Sequence, residues 1–329
     1  MFYINMIPKI SNISFKGYDA CPIKNLYVDS VGFKPFHHEM KEIANKEGVG
    51  LVEMNDSLKW MQDNKILLQR GNKEILLNNG VVSYNVLNYF NRRGIESKNQ
   101  YGFVTGGNCF LGKNDKGERW VMAGAKQSFI IDSKEDLIAD AYEVDKKNII
   151  LIPRQDYHLD MFLRPVGYPY VLVDDPELDI KNLRELNSDS PVIKKTIEYL
   201  EALINSKSKP QCKDTIKALK DAGFVPIRIA GNYLKGINFM NAIVNRHKDG
   251  TMTYITNSSL SENNKDFSKL QEIFEAELKA KVPDIKKVYF IKGKQENSLC
   301  DNEMMSHLEW QGGGIHCLCL EEPDFEAWA

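Results

Sequence analysis

Lys65-Ile66-Leu67-Leu68-Gln69-Arg70-Gly71-Asn72-Lys73-Glu74-Ile75-Leu76-Leu77 sets two apolar runs around Arg70-Gly71-Asn72, the signal of a β-hairpin. Downstream, Tyr84 to Phe90 spaces its apolar residues at helical intervals, Gly94 closes that helix, and Tyr101-Gly102-Phe103-Val104 reads as the next strand. The unit is therefore strand, turn, strand, helix, strand.

The unit recurs. Cys109-Phe110-Leu111 and Trp120-Val121-Met122-Ala123 form a second hairpin turning at Asn114-Asp115-Lys116-Gly117. A helix near Ser133 to Tyr142 follows, with Ser133 and Asp136 as a capping-box variant, and then the strand Ile149-Ile150-Leu151-Ile152. A third copy runs from Met161-Phe162-Leu163 and Tyr170-Val171-Leu172-Val173 through helices near Ile193 to Leu203 and Cys212 to Ala222, ending in Val225 to Ile229. A fourth opens at Phe239 to Val244, turns at Lys248-Asp249-Gly250, continues as Met252-Thr253-Tyr254-Ile255, and closes with a helix at Lys269 to Lys281 and a strand at Lys287 to Ile291. Upstream, Leu26-Tyr27-Val28, a helix near Glu39 to Glu47 and Val49 to Val52 read as a degenerate first copy. Five units with no identity between them imply a closed radial array of the α/β class. It would form one domain over 1–329, with units at about 10–62, 63–106, 107–157, 158–235 and 236–329.

The residues able to do chemistry fall at one point of this unit, between its last strand and the next hairpin. They are Trp60-Met61-Gln62-Asp63, Thr105-Gly106-Gly107-Asn108, His158-Leu159-Asp160, Gly236-Ile237-Asn238 and His316-Cys317. The last belongs to Gly312-Gly313-Gly314-Ile315-His316-Cys317-Leu318-Cys319-Leu320, a glycine turn feeding a short apolar strand with a thiol at its entrance. Taken singly, Cys317 reads as a small buried hydrophobe, Asp63 as a turn residue and Trp60 as core. Taken together, a closed array brings equivalent loops to one end of its axis and converges a thiol, an imidazole and two carboxylates on one pocket.

Composition narrows the classes. Lys plus Arg number 43 against 45 Asp plus Glu, a net charge of −2, so no basic surplus argues for nucleic acid or an anionic membrane. Apolar runs are strand-sized, and Met1 to Pro8 lacks the basic and unbroken apolar regions of a signal peptide, so a cytoplasmic location is expected, with signal-less export left open. The cysteines Cys21, Cys109, Cys212, Cys300, Cys317 and Cys319 are scattered, unlike a disulfide framework. Cys317-x-Cys319 lacks the second pair that structural zinc needs, so no metal is expected there. No cofactor is expected, and the oligomeric state stays open.

On Trp60-Met61-Gln62-Asp63, Tyr101-Gly102-Phe103-Val104-Thr105-Gly106, His158-Leu159-Asp160-Met161-Phe162 and Ile315-His316-Cys317, the chain resembles the pentein, or guanidino-group-modifying, superfamily. That superfamily's fold is a five-bladed α/β propeller of ββαβ modules. Within it the chain is most similar to the catalytic domain of protein-arginine deiminases, with agmatine deiminases next. The resemblance implies Cys317 as nucleophile, His158 as acid/base, Asp63 and Asp160 as the carboxylates holding the guanidinium, Trp60 as an aromatic wall and Gln62 as a substrate-backbone contact. Asn108 and Asn238, in the equivalent loops, are candidate substrate contacts. Gly236-Ile237-Asn238-Phe239 and the triple glycine look more like agmatine deiminases, and Asn78-Asn79-Gly80 stands where protein-arginine deiminases carry an arginine. Their calcium dependence finds no support in the sequence.

The implied reaction is hydrolysis of arginine side chains in proteins or peptides to citrulline and ammonia. Alternatives are a deiminase of a small guanidine such as agmatine or free arginine, an amidinotransferase, and an inactive pentein binding module. The residue types suit the chemistry. A guanidinium stays protonated, so its carbon becomes electrophilic only when two carboxylates fix its plane and localise its charge, after which a thiolate can add.

Overall fold

The computed structural model describes residues 21–30, 34–56, 60–80, 82–99, 106–125, 135–153, 158–206, 212–234, 237–258, 265–292 and 314–326. They form five three-stranded sheets and one two-stranded ribbon. The first sheet centres on β1 (Ile23–Asp29), joined through α1 (Lys34–Lys46) to parallel β2 (Gly50–Met54). The second is the hairpin β3 (Lys65–Arg70) and β4 (Lys73–Asn78), then α2 (Tyr84–Arg92) and β5 (Glu96–Asn99), parallel to β4. The third repeats this with β6 (Cys109–Lys113), β7 (Arg119–Ala125), α3 (Glu135–Tyr142) and β8 (Ile149–Pro153).

The fourth sheet pairs β9 (Leu163–Pro165) with β10 (Tyr170–Asp174). It then inserts α4 (Pro176–Glu185), α5 (Pro191–Asn205) and α6 (Cys212–Asp221) before β11 (Val225–Ile229). After the ribbon of β12 (Asn232–Leu234) and β13 (Ile237–Asn238), the fifth sheet follows as β14 (Ile243–Arg246), β15 (Met252–Asn257), α7 (Lys265–Lys281) and β16 (Ile285–Ile291). The helical turn α8 (Ile315–Leu318) then leads into β17 (Cys319–Pro323), which pairs antiparallel with β1. In every sheet the parallel partner is reached through a helix, as parallel pairing requires. None of the sheets closes on itself among the described residues.

Strand alternation explains why these apolar runs are strands with two buried faces. Ile66, Leu68, Ile75 and Leu77 enter one core cluster while Leu67 and Leu76 turn to Val86 and Phe90 of α2. The same split puts Cys109, Leu111, Val121 and Ala123 in the first cluster and Phe110, Trp120 and Met122 in another. Leu26 and Val28 of the first sheet and Ile243 and Ile255 of the fifth also join that first cluster, so four of the five sheets contribute one face to a shared core.

Several expectations are corrected. The third strand of the second unit is Glu96–Asn99, a polar edge strand with little apolar content to reveal it, whereas Tyr101 to Thr105 lie outside the described residues. Ser133, Gly236, Gly312 and Gly313 also lie outside them. Phe239 to Ala242 is a bend preceding β14, and Met161 belongs to a 3₁₀ turn preceding β9. A further helix, α4, has Asp175 as N-cap to Glu177 and a proline in its first turn. Ile315 to Leu318 is a helical turn, with the strand beginning at Cys319; a short apolar run does not by itself distinguish the two. The first unit takes its missing strand from the C-terminal segment, residues 319–323, which the sequence reading had grouped with the fifth.

That closing strand is held by a buried carboxylate. Glu322 accepts from Asn25 Nδ2 at 2.8 Å, from Arg93 Nη1 and Nη2 at 3.0 and 2.6 Å, and from the Tyr27 hydroxyl. Burial would raise its carboxyl, and the bonds from Arg93, Tyr27 and Asn25 outweigh burial and hold it below the ordinary range. Its stabilising effect is therefore present above about pH 4.3 and is lost as pH falls through the lowered folded value. Arg93→Ala, which leaves that charge buried and undercompensated, is expected to cost about 3 kcal/mol at pH 7. In urea unfolding, the deficit should shrink at pH values below the carboxylate range.

Candidate active site

The turn at Met61 to Asn64 ends at β3, the 3₁₀ turn Gly106–Asn108 at β6, the 3₁₀ turn Leu159–Met161 at β9, the bend at Phe239 to Asn241 before β14, and α8 at β17. These are the same point of each sheet, and four of them meet around Cys317. Its thiol donates to Asp160 Oδ2 at 3.2 Å and receives Asn241 Nδ2 at 3.3 Å. Asp63 Oδ1 lies 3.8 Å from His158 Nδ1. Cys317, His158 and Asp63 each present a ligating atom within 4.8 Å of the others, the one such set among the described residues. The same spacing would admit a metal ion.

Backbone contacts place these loops. Gln62 N–H donates to Cys317 O at 3.1 Å, tying the Asp63 turn to the thiol turn. His316 N–H donates to Asn241 Oδ1 at 2.9 Å and Ile315 N–H to Asn257 Oδ1 at 2.8 Å, so two asparagines of the fifth sheet satisfy the first amides of α8 from outside. Gly314 admits them: a Cβ there would lie 2.4 Å from Asn257 Nδ2 and 2.8 Å from Asn241 Oδ1. Gly107 admits the polar cluster in the same way, since its Cβ would lie 2.6 Å from His158 Nδ1, 3.0 Å from Asp63 Oδ1 and 3.2 Å from Asp160 Oδ2.

Among the described residues, four acceptor oxygens in these loops are enclosed without a hydrogen-bond donor: Gln62 Oε1, Asp63 Oδ1, Asn108 Oδ1 and Asp160 Oδ1. Buried acceptors are costly unless a donor meets them, so the arrangement calls for a ligand rich in N–H groups. Protonation reports the same demand. Enclosure raises Asp63 to about 7 against the pull of the Cys317 bond and Lys65. Burial and then the Asp63 charge raise Asp160 well above its ordinary value. Burial, Asp160 and Asp63 raise the Cys317 thiol. The pocket alone thus favours protons on acids that a bound cation would displace.

A second layer lies behind Asp160. His316 Nδ1 is 2.8 Å from Asp160 Oδ2, its Nε2 is 3.6 Å from Glu321 Oε1, and Glu321 receives Arg164 Nη2 at 3.3 Å. Arg164 is fully buried with its guanidinium 5.3 Å from the Phe110 ring centroid. Burial, then Arg164 and His158, push His316 well below its ordinary range and keep it neutral.

The structure thus brings together Cys317, His158, Asp160 and Asp63, with Gln62 and Asn108 in the adjoining loops. Trp60 is half-buried against the shared core. Asn238 has a different place from the substrate contact expected of it: its amide donates to Met161 O at 3.0 Å and accepts from Met240 and Asn241 N–H, bracing two loops against each other. Sequence reasoning missed Asn241, Asn257, Arg164, Glu321 and the closeness required at Gly107. Asn241, three residues beyond Asn238 in a loop already singled out, carried the one usable signal.

Neither a protein-family model nor a curated protein sequence matches the chain. Solved structures do. An agmatine deiminase from C. jejuni superposes with a TM-score of 0.57 at 12% identity, covering 94% of this chain and 96% of that one. An amidinotransferase from Microseira wollei in the saxitoxin biosynthetic pathway superposes with a TM-score of 0.52 at 12% identity, covering 94% and 97%. No helix among the described residues is long and apolar enough to cross a membrane.

The electrostatics give a test with an unexpected sign. Asp63 both accepts from the thiol and repels a thiolate, so Asp63→Asn should lower the half-point for alkylation of Cys317 by iodoacetamide by about one pH unit. The thiol becomes more reactive at pH 7 although the site has lost a carboxylate, and mass mapping of alkylated Cys317 across a pH series checks it. With ββαβ-type sheets along the chain and these two structures spanning nearly all of it, the chain shares the fold of that agmatine deiminase and that amidinotransferase.

Proposed function

We propose that the protein is a guanidine hydrolase of small substrates, acting on agmatine or a related compound by deimination, with its five sheets arranged as the blades of a propeller around the site. The observation that carries this reading is the meeting of one thiol, one imidazole and two carboxyls in a pocket with four enclosed acceptor oxygens and no donor for them. A guanidinium offers five N–H donors in a plane and one positive charge, the complement of that set. The near-complete superposition on an agmatine deiminase supports a small substrate over the protein-arginine side chain first expected from the sequence.

The chemistry follows from the placement. Asp63 and Asp160 accept paired N–H groups and hold the guanidinium plane, and its charge draws protons off the carboxyls and the thiol. The Cys317 thiolate adds to the guanidinium carbon, forming a C–S bond. His158 gives a proton to the departing nitrogen, the C–N bond breaks, and ammonia leaves an S-alkylthiouronium on Cys317. Water then attacks the same carbon, His158 takes its proton, and cleavage of the C–S bond releases the ureido product and the thiolate. Amidinotransfer is a second reading favoured by the other superposed structure, with an amine in place of water at the last step.

Ammonia release with mass detection of the ureido product should be found for agmatine in preference to free arginine or an arginine peptide. Cys317→Ser should reduce it by about three orders of magnitude or more. Turnover of the peptide alone would return the reading to protein-arginine deimination. Absence of ammonia with transfer of an amidino group to an added amine would establish the second reading. Because Asp63 titrates near 7 and Asp160 is also raised well above its ordinary value, binding a cation releases protons. The apparent affinity for agmatine should therefore rise as pH approaches 7 from below and keep rising above 7 while Asp160 still gives up its proton on binding.

A further inference from the structure

The thiol of Cys317 is surrounded by groups that oppose its ionisation. Asp63 faces it from the turn before β3 and Asp160 from the turn before β9, His316 is held neutral, and His158 presents a ring nitrogen within 4.8 Å of Sγ. The contacts of opposite character are the Gly314 backbone N–H and Asn241 Nδ2, the latter at 3.3 Å. The orientation of Asn241 is fixed by the far end of the same amide: Oδ1 accepts His316 N–H at 2.9 Å, so the nitrogen and not the oxygen must face the sulfur. Asn241 is fully buried, and its own backbone N–H is held by Asn238 Oδ1 at 3.1 Å. The amide therefore cannot turn away without breaking bonds at both ends.

We infer that Asn241 is a catalytic residue, a fixed amide donor that holds the Cys317 sulfur as thiolate, both before attack and when the C–S bond breaks to release the product. This rests on Cys317 being the nucleophile proposed above. A hydrogen bond to a charged sulfur is stronger than one to a neutral thiol, so the donor stabilises the ionised form selectively and needs no reorganisation when charge appears. Being neutral, this donor does not itself compete with the substrate cation for Asp63 and Asp160. In the same sense, the Asn241 bond draws both the Cys317 thiol and the Asp160 carboxyl downward, against their burial.

Asn257 provides the control. It caps the same helical turn through Ile315 N–H, and its Nδ2 donates to Asn238 O at 2.7 Å. The experiment measures the pH dependence of iodoacetamide alkylation at Cys317, located by peptide mapping, in wild type, Asn241→Ala, Asn241→Leu and Asn257→Ala, with circular dichroism as the check on folding. Leucine keeps the volume of the amide, so at least one Asn241 variant should fold. Both Asn241 variants should alkylate about tenfold more slowly at pH 8, with the half-point moved up, while Asn257→Ala loses thermal stability with its half-point in place. In agmatine turnover, the acid limb of kcat/KM should move to higher pH and kcat should fall with KM little changed. An unmoved half-point in a folded Asn241 variant, or an equal shift in Asn257→Ala, would overturn the inference. Iodoacetamide is not a guanidine, so a shifted thiol in a protein that turns over no guanidine would sink the proposed function and leave this role standing. Turnover with an unshifted thiol would do the reverse.

Discussion

The antiparallel ladder between β17 and β1 is the constraint on which the site depends. It runs from Ile23 opposite Pro323 to Val28 opposite Cys319, so its last pair lies two residues from Cys317. The Cys317 thiol is thus at the seam where the two ends of the described chain meet, and its position is set by a strand that must find its partner across nearly the whole sequence. Glu322 keeps that strand in register by binding Asn25 and Tyr27 on its own sheet and Arg93 beyond α2 of the next unit. A second buried carboxylate works on the other side. Glu47, just after α1, accepts from Lys287 Nζ and the Tyr289 hydroxyl of β16 at 2.9 Å each, and from Thr253 of β15. The first sheet is in this way bonded to the second and to the fifth, and both bonds are charge-assisted and buried, where they are strongest and most costly to break.

The polar site makes an opposite use of burial. At Glu322 and Glu47 every enclosed carboxylate is met by donors, and both are held below the ordinary range. At Asp63 and Asp160 an oxygen of each is left without one, and both are raised. The same residue type thus serves as a structural lock in one place and, on the proposed function, as a cation receptor in the other, and the difference is whether the described part of the fold itself supplies the N–H groups. Energy spent in enclosing unmatched acceptors is recovered when a cation enters, which concentrates binding on ligands that carry both charge and several donors.

How much of this was legible in the sequence follows from the same physics. Hairpins such as Lys65–Asn78 declare themselves because both faces of the strand are buried and the turn needs Gly71, whose φ is +54°. Glu96–Asn99 did not, because an edge strand can be polar and still complete a ladder with Ile75 to Asn78. The acidic, thiol and imidazole residues were visible because they recur at one point of a repeat. Asn241 and Asn257 were not, because asparagine is ordinary in turns, and only the positions of the His316 and Ile315 amides give these two their meaning. Arg164 and Glu321 each sit inside a strand, where a charged residue reads as solvent-facing until its partner is known.

The two site carboxyls are not equivalent, and the inequality orders the events of binding. Asp63 is partly exposed, and Lys65, buried and bonded to Asp56 at 2.7 Å, places a positive charge behind it, so it titrates near 7. Asp160 is wholly enclosed, feels the charge of Asp63, and is also raised. In the proposed reaction the carboxyl nearer solvent is the first to meet an arriving cation, and Asp160 gives up its proton as that cation neutralises its neighbour. Its proton need not cross an apolar barrier, because Oδ2 is already bonded to His316 and to the thiol. For the proposed reaction, separating two carboxyls in this way would let one serve as an entrance charge and the other as the inner anchor that aligns a guanidinium with Cys317, a division set by burial and by one lysine.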